Sequence, residues 1–226
     1  MKILDILAGR TKPAQADLDA LFGLSGAFIT LEASESLVPS GEGGVCYKPA
    51  AGQVFAHTAQ EMESLLGLGG GPTKVREETD QYGFHWVVLG QGAGGAASAS
   101  AGGAASAGGA VDGAGSAPGD DPQALVNQVH LVNSTLQEQG FGPQLLCSVF
   151  GFRPATAAAA TAGSTRATAY IVYLYKRGTF YPFVPLPGRE QRDVETELRL
   201  SIVLADDLKV EKDKANWMAL WGLPVH

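Results

Sequence analysis

An aromatic segment between Tyr170 and Phe183 constrains the fold of this chain more than any other stretch. Six of the chain's eighteen aromatic residues lie there, on both sides of a short basic turn, Lys176–Thr179. Tyrosine and phenylalanine at alternating positions suit a pleated, half-buried strand pair. Gly178 supplies the backbone freedom that a tight reversal needs. The segment therefore predicts a β-hairpin, called here the aromatic hairpin (residues 170–187), that packs or binds and does not catalyse.

Composition narrows the class of partner. The chain has 226 residues, of which 45% are hydrophobic and 17% charged, and this length allows one large domain or two small ones. Its net charge of −7 argues against nucleic acid, because phosphates demand a basic stripe. The charge suits neutral or locally basic partners.

The N-terminal region and the cysteines favour a cytoplasmic protein. Asp5 interrupts the first apolar run, which excludes a signal peptide, and no run of about 18 apolar residues exists to span a bilayer. Cys46 and Cys147 both stand in apolar, strand-like surroundings, which predicts buried, unreactive free thiols. The inner face of the membrane is an alternative location. Membrane contact, through Ile3, Leu4 and Leu7, is then at most peripheral.

Hydrophobic periodicity predicts helices and strands along the whole chain. The glycine-rich segment Gly41–Gly44 predicts a turn. The segment Ala27–Ala33 could be a helix or a strand, because periodicity alone does not decide between them. We expect helices at residues 3–7, 18–24, 58–66 and 122–136, and after Asp193, the last with an apolar stripe of Val194, Leu198, Ile202 and Ala205. We expect strands at residues 45–48, 53–56, 74–79, 84–89, 144–152 and 208–211, besides the aromatic hairpin, and Trp217 and Trp221 covering a face of the core.

Two low-complexity inserts interrupt this pattern. Gly90–Gly119 contains 11 Gly, 11 Ala and 4 Ser among 30 residues, too little apolar surface to offset the entropy of ordering. We expect a disordered insert there and a shorter Ala/Thr-rich loop at residues 154–168. Strands on both sides of the first insert need a shared helical cover. We therefore predict one α+β domain over residues 1–226, with a mainly antiparallel sheet covered by helices.

The sequence shows no pattern typical of catalysis or metal binding. The four histidines lack the spacing of a zinc site, and neither a nucleophile elbow nor a phosphate-binding loop is present. The carboxylates Glu77, Glu78 and Asp80 are read as solvated charges at a strand end. We therefore expect a protein that is not an enzyme and that needs no cofactor or metal.

The basic residues near the aromatic hairpin are the most suggestive chemical feature. Lys176 and Arg177 in its turn, with Arg189 and Arg192 beyond it, could converge on a carboxylate, a phosphate or an acidic helix. The alternative is that they are only solubilising charges. The candidate binding residues are Tyr173, Tyr175, Lys176, Arg177, Phe180, Tyr181, Arg189 and Arg192.

Several longer motifs resemble one known family. They are ILAGRTKP near the start, VNSTLQEQGFGPQLLCSVFGF in the middle, YLYKRGTFYPF in the aromatic hairpin and WGLP near the end. With residues 18–33 and 82–88 they cover most of the chain outside the inserts. They resemble the PspAB family, PspA-associated accessories of the phage-shock envelope-stress system.

The resemblance implies a function but no site residues. Members of such a family are expected to work beside PspA, a coiled-coil protein that supports stressed membranes. The order of elements is also similar to the secretion-chaperone-like fold, which commonly binds protein segments, although a fold alone does not establish function. We therefore expect a non-enzymatic adaptor that binds a PspA-type coiled-coil protein. The alternative is a small-molecule or anion-binding protein or enzyme that uses the basic cluster.

Overall fold

Six antiparallel strands form one sheet in the computed structural model of the chain, which describes residues 16–48, 64, 74–90, 122–155 and 168–226. The order of strands across the sheet is β2-β3-β1-β4-β5-β6. Strands from both sides of the long insert therefore share the sheet, because β1 pairs with both β3 and β4. The strands are β1 Leu37–Tyr47, β2 Lys74–Thr79, β3 His85–Gly90, β4 Leu145–Pro154, β5 Ala169–Leu174 and β6 Thr179–Phe183.

Three α-helices accompany the sheet: α1 Leu24–Glu35, α2 Pro122–Leu136 and α3 Val194–Val203. A 3-10 turn at Leu18–Gly23 leads into α1, which settles the open segment 27–33 as helix. Helix α3 begins after Asp193 as predicted, and the Asp193 carboxylate caps it by accepting a hydrogen bond from the Thr196 backbone N–H. The α+β class with an antiparallel sheet is thus confirmed.

The two faces of the sheet are covered differently. Along β5, Ile171 and Tyr173 point to one face and Tyr170 and Val172 to the other, as the two-residue period of a strand requires. The first face, called the helix face, packs against residues of all three helices. The second face is covered by Trp217, Val225 and their neighbours in residues 217–226, called here the C-terminal segment. The expected cover by Trp217 and Trp221 is confirmed, since both pack in that cluster.

The predicted turn at Gly41–Gly44 is wrong, because these residues belong to β1, which runs from Leu37 with a register shift between Pro39 and Gly43. The glycines are needed for close packing instead. A Cβ at Gly43 would lie 3.4 Å from a Leu125 methyl of α2, and one at Gly44 would lie 3.0 Å from Cγ2 of Val225. The missing side chains therefore let both layers approach β1.

The predicted apolar stripe of α3 is also wrong. Val194 and Ile202 are 56% and 76% exposed, and Ala205 is exposed beyond the helix end, whereas Leu198 is half-buried. The buried residues of α3 are Leu200 and Glu197. Hydrophobic spacing misplaced this face because a carboxylate, Glu197, occupies a core position through polar contacts described below.

The remaining element predictions divide into three groups. The β2–β3 and β5–β6 hairpins, helix α2 and strand β4 are confirmed. The predicted strand at 208–211 reduces to a single bridge between Val210 and Phe180. The elements at 3–7 and 53–56, the helix at 58–66 except residue 64, and the inserts beyond Gly90 and between Ala155 and Thr168 lie outside the described residues.

Candidate functional site

The aromatic side chains of the hairpin are buried. Tyr173, Tyr175, Phe180 and Tyr181 are each at most 4% exposed. On the helix face the ring centroids of Tyr173 and Phe180 lie 5.0 Å apart, and the Tyr173 hydroxyl donates a 2.7 Å hydrogen bond to the Asp17 carbonyl. These contacts join the hairpin to the turn before α1, so the residues pack the core. A direct contact between these four side chains and a partner stays a prediction.

The hydroxyls of Tyr175 and Tyr181 bind two different parts of the chain. The Tyr175 hydroxyl donates to Oε1 of Gln137 at 2.7 Å, just beyond α2. The Tyr181 hydroxyl donates to the Met218 carbonyl at 2.9 Å, and its ring stacks on Trp217 with centroids 6.0 Å apart. Burial raises the pKa of the Tyr181 hydroxyl above its usual range. These phenols therefore stay neutral donors.

Arg177, in the hairpin turn, is paired with a buried carboxylate that sequence reasoning missed. Its Nε lies 2.6 Å from Oε2 of Glu211, which is 5% exposed and also accepts from the Thr179 hydroxyl at 2.9 Å. Hydrogen bonding to Arg177, supported by the backbone N–H of Asp213, lowers the pKa of Glu211 to about 2. Arg177 is thus neutralised within the chain.

Arg192 is paired in the same way with a different carboxylate. Its Nε donates to Oε1 of Glu197 at 2.8 Å, and its Nη1 donates to the Trp217 carbonyl at 2.7 Å. The same oxygen of Glu197 accepts from the Val184 backbone N–H at 2.9 Å. The guanidinium also lies over the Phe183 ring, 5.4 Å from its centroid. Arg192 therefore holds α3, β6 and the C-terminal segment together.

The structure does not bring the four predicted cations to one anion site. Arg177 and Arg192 each serve a separate buried glutamate, while Lys176 and Arg189 are exposed. Of the four, only Arg189 lines the cleft described below. The local sequence could not reveal the partner of Arg177, since Glu211 lies 34 residues after it. Glu197 lies only 5 residues after Arg192, and this pair was not predicted although it is local in sequence.

The C-terminal segment is fastened mainly by side chains that reach its backbone. Arg76 of β2 donates to the Pro224 carbonyl at 2.7 Å, and the Tyr170 hydroxyl donates to the Val225 carbonyl at 3.2 Å. The His226 backbone N–H donates to Oε2 of Glu42 at 2.8 Å. With the bonds to Trp217 and Met218, these contacts lay the segment across the sheet without a strand ladder.

An open cleft of about 1050 Å³ lies beside the C-terminal segment. Its walls are the end of β2 with the turn to β3, the start of β5, the loop 184–190 and residues 220–226. Its apolar lining includes Leu186, which is 37% exposed, and Trp221, whose ring meets Phe183 edge-on at 5.4 Å. The half-buried Leu220 and Leu223 extend this lining. The cleft therefore has accessible apolar surface, part of it on the C-terminal segment, which is hydrogen-bonded to the sheet.

Acidic groups outnumber basic ones around the cleft. Glu78, Asp80 and Glu190 line it, against Arg189 and a histidine, His226. Asp80, read from the sequence as a solvated charge, instead shapes the β2–β3 turn. Its carboxylate accepts from the backbone N–H groups of residues 82 and 84, each at 2.9 Å, and from the Trp86 indole at 3.0 Å. The Asp80 carboxylate thus holds the β2–β3 turn, which forms one wall of the cleft, in place.

The described residues contain neither a cluster of possible metal ligands nor a helix suited to cross a membrane. Among them, no three His, Cys, Asp or Glu side chains come together in a way that could hold a metal ion. Within the same ranges, no helix combines the length and the apolar character that crossing a bilayer requires.

The comparisons with known proteins identify a family. The chain matches the family model PspAB, described as PspA associated protein B, over residues 1–97 and 116–225. Only part of the long Gly/Ala-rich insert separates the two matched ranges, and the second range contains the aromatic hairpin and all but the last residue of the C-terminal segment. Searches of curated proteins and of solved structures found no match. The chain belongs to the PspAB family, whose name refers to association with PspA.

Proposed function

We propose that this protein is a non-enzymatic adaptor that binds a PspA-type coiled-coil protein on the cytoplasmic side of the membrane during envelope stress. The observation that carries the proposal is the cleft beside the C-terminal segment, taken together with the family's association with PspA. The cleft is the docking site, and its occupant is a partner segment that carries apolar residues beside lysine or arginine.

The chemistry of the cleft supports a protein segment as the ligand. It is open to solvent, with a volume of about 1050 Å³, and is lined by segments from four parts of the chain, which suits an extended partner segment. Trp221 and Leu186 supply the aromatic and aliphatic surface found at the centres of protein interfaces. Of the three carboxylates around it, Glu78 pairs with Arg76 at 3.0 Å. Glu190 and Asp80 therefore supply most of the negative charge that would favour a basic partner surface and steer its approach.

The alternative, an anion-binding protein or enzyme, has less support. Two of the four basic residues that an anion site would use are already paired within the chain, Arg177 with Glu211 and Arg192 with Glu197. Arg189 stands in the cleft among carboxylates, an environment that disfavours an anionic ligand.

A matched pair of variants tests the docking site. Leu186→Asp places a charge in the apolar lining, and Ile202→Asp places the same charge on exposed α3, outside the residues that line the cleft. We expect Leu186→Asp to weaken binding of the purified PspA-type protein from the same organism at least tenfold, because an unpaired carboxylate would be desolvated. Ile202→Asp should bind like the unaltered protein. Isothermal titration calorimetry gives both affinities.

A charge reversal provides the second arm. Glu190→Lys should weaken binding and reduce its dependence on ionic strength, since a rim carboxylate acts mainly through long-range attraction. Failure of the unaltered protein to bind the PspA-type protein contradicts the adaptor proposal itself. Binding that survives both cleft variants but is lost in Ile202→Asp places the interface on the helices that cover the helix face instead.

A further inference from the structure

The two cysteines of the chain face each other across the centre of the sheet. Cys46 of β1 is the direct cross-strand partner of Cys147 of β4. Both side chains point to the face under the C-terminal segment, where they are 3% and 6% exposed and both thiols are free. The sequence, with 100 residues between them, gives no sign of this pairing.

The register places the two thiols within bonding reach. Directly opposed residues of antiparallel strands have Cα atoms about 4.5 or about 5.5 Å apart, depending on the type of pair. Both separations fall inside the range of about 4.4–6.8 Å that disulfides span. A register shift between Cys46 and Tyr47 also loosens the ladder next to the pair. The backbone therefore needs little movement for the sulfurs to join.

Their surroundings keep the thiols unreactive while the C-terminal segment is in place. Cys46 and Cys147 lie in the same buried cluster as Trp217 and Val225 of that segment. A hydrogen bond to Cys147, together with burial, raises the pKa of the Cys46 thiol above its usual range, so the reactive thiolate is scarce. Movement of the segment would expose the pair to water and to an oxidant.

We propose that Cys46 and Cys147 form a redox modification site, in which a hydroperoxide converts the two thiols into an intramolecular disulfide once the C-terminal segment lifts. One thiolate attacks the peroxide, the O–O bond breaks, and a sulfenic acid and an alcohol or water form. The second thiol then attacks the sulfenic sulfur, the S–S bond forms, and water leaves. Two thiols are oxidised while one hydroperoxide is reduced.

The disulfide would fix the centre of the fold. It joins β1 to β4, the strands from the two sides of the long insert, and closes a loop of about 100 residues. Because the C-terminal segment covers the cysteines and also lines the cleft, oxidation of the pair would affect the sheet face on which the cleft lies. The inference does not depend on which partner the cleft binds.

The test treats the folded, full-length protein with hydrogen peroxide and follows intact mass and peptide mapping without reductant. We expect a loss of two hydrogen atoms and a peptide cross-link between Cys46 and Cys147, reversed by dithiothreitol. The oxidised protein should unfold at a midpoint higher by on the order of 10 °C. Cys46→Ser and Cys147→Ser should each stop at the sulfenic acid or beyond, with no cross-link.

Variants of the C-terminal segment test the gate. Tyr181→Phe removes the hydrogen bond to the Met218 carbonyl, and Trp217→Ala removes the stacked ring. Both should cross-link faster than the unaltered protein, with the mild Tyr181→Phe serving if Trp217→Ala does not fold. The proposal is overturned if no intramolecular cross-link forms in the unaltered protein or in these variants. This holds whether the thiols are lost to other oxidation products or remain free. Equal rates in all three proteins overturn the gating by the segment.

Discussion

At the scale of single residues, two buried glutamates organise the surroundings of the aromatic hairpin. Glu211 joins Arg177 and Thr179 of the hairpin to the chain beyond α3, and Glu197 joins Arg192 to the Val184 backbone. Buried charges are tolerated only when paired and hydrogen-bonded, and both glutamates meet this condition. Removing either arginine would leave a buried glutamate without its charged partner.

The low pKa of Glu211 predicts part of the acid sensitivity of the protein. Its pKa is about 2 when folded against an ordinary value of 4.5, so the folded state binds its proton more weakly. The stabilisation is therefore present above about pH 4.5 and is lost as the pH falls toward about 2. We expect Glu211→Gln to flatten the fall in the free energy of unfolding over this range, as measured by urea denaturation at several pH values.

Arg177→Met should also flatten the fall in the free energy of unfolding over this pH range, because the hydrogen bond from Arg177 is the largest cause of the low pKa of Glu211. Arg153→Met, which removes an exposed arginine of β4, is the matched control for loss of one positive charge. If Glu211→Gln shows the same pH dependence as the unaltered protein, the account of this ion pair is wrong.

At the scale of elements, the C-terminal segment behaves as a layer of its own. It covers a sheet face with Trp217 and Val225, and side chains from β2, β5, β6 and the loop before α3 donate to its carbonyl groups. Close packing at Gly44 lets Val225 reach β1. The floor and one wall of the cleft therefore depend on the packing of this segment.

Gly44→Ala tests that packing. The added methyl would lie 3.0 Å from Cγ2 of Val225, and overpacking of this kind costs about 1–3 kcal/mol of unfolding free energy. In a Val225→Ala background the same change should cost clearly less, since the clashing methyl is gone. Chemical denaturation of the four proteins of this double-mutant cycle gives the coupling. Strictly additive effects would show that Val225 does not pack on Gly44.

Local elements could be predicted from the sequence where short-range patterns decide them. The aromatic hairpin, the β2–β3 hairpin, α2 and the start of α3 after Asp193 follow from hydrophobic period, turn residues and helix-start signals. The inner face of α3 did not, because hydrophobic spacing gives no weight to Glu197, a buried carboxylate that pairs with Arg192. The glycines of β1 did not, because distant partners decide them, Leu125 for Gly43 and Val225 for Gly44. The cleft was missed for the same reason, since residues 78–81, 168–170, 184–190 and 220–226 meet only in the folded chain.

At the scale of the whole molecule, both sheet edges are protected against strand pairing. The outer strand β6 contains Pro182, and its Phe180 exchanges backbone hydrogen bonds with residues 209 and 211. The opposite edge, β2, carries the charged residues Lys74, Arg76, Glu77 and Glu78. In the part of the chain that the structure describes, neither edge favours pairing with an added strand, which favours recognition through side chains at the cleft.

The proposed function requires a PspA-type partner to bind at the cleft and not on the helices that cover the helix face. Hydrogen–deuterium exchange of the protein, alone and saturated with the purified PspA-type protein, distinguishes these two surfaces. We predict slower exchange on binding at residues 78–81, 184–190 and 220–226, with exchange in α1 and in α3 unchanged. Slower exchange confined to α1 and α3, with the cleft segments unaffected, would contradict the account.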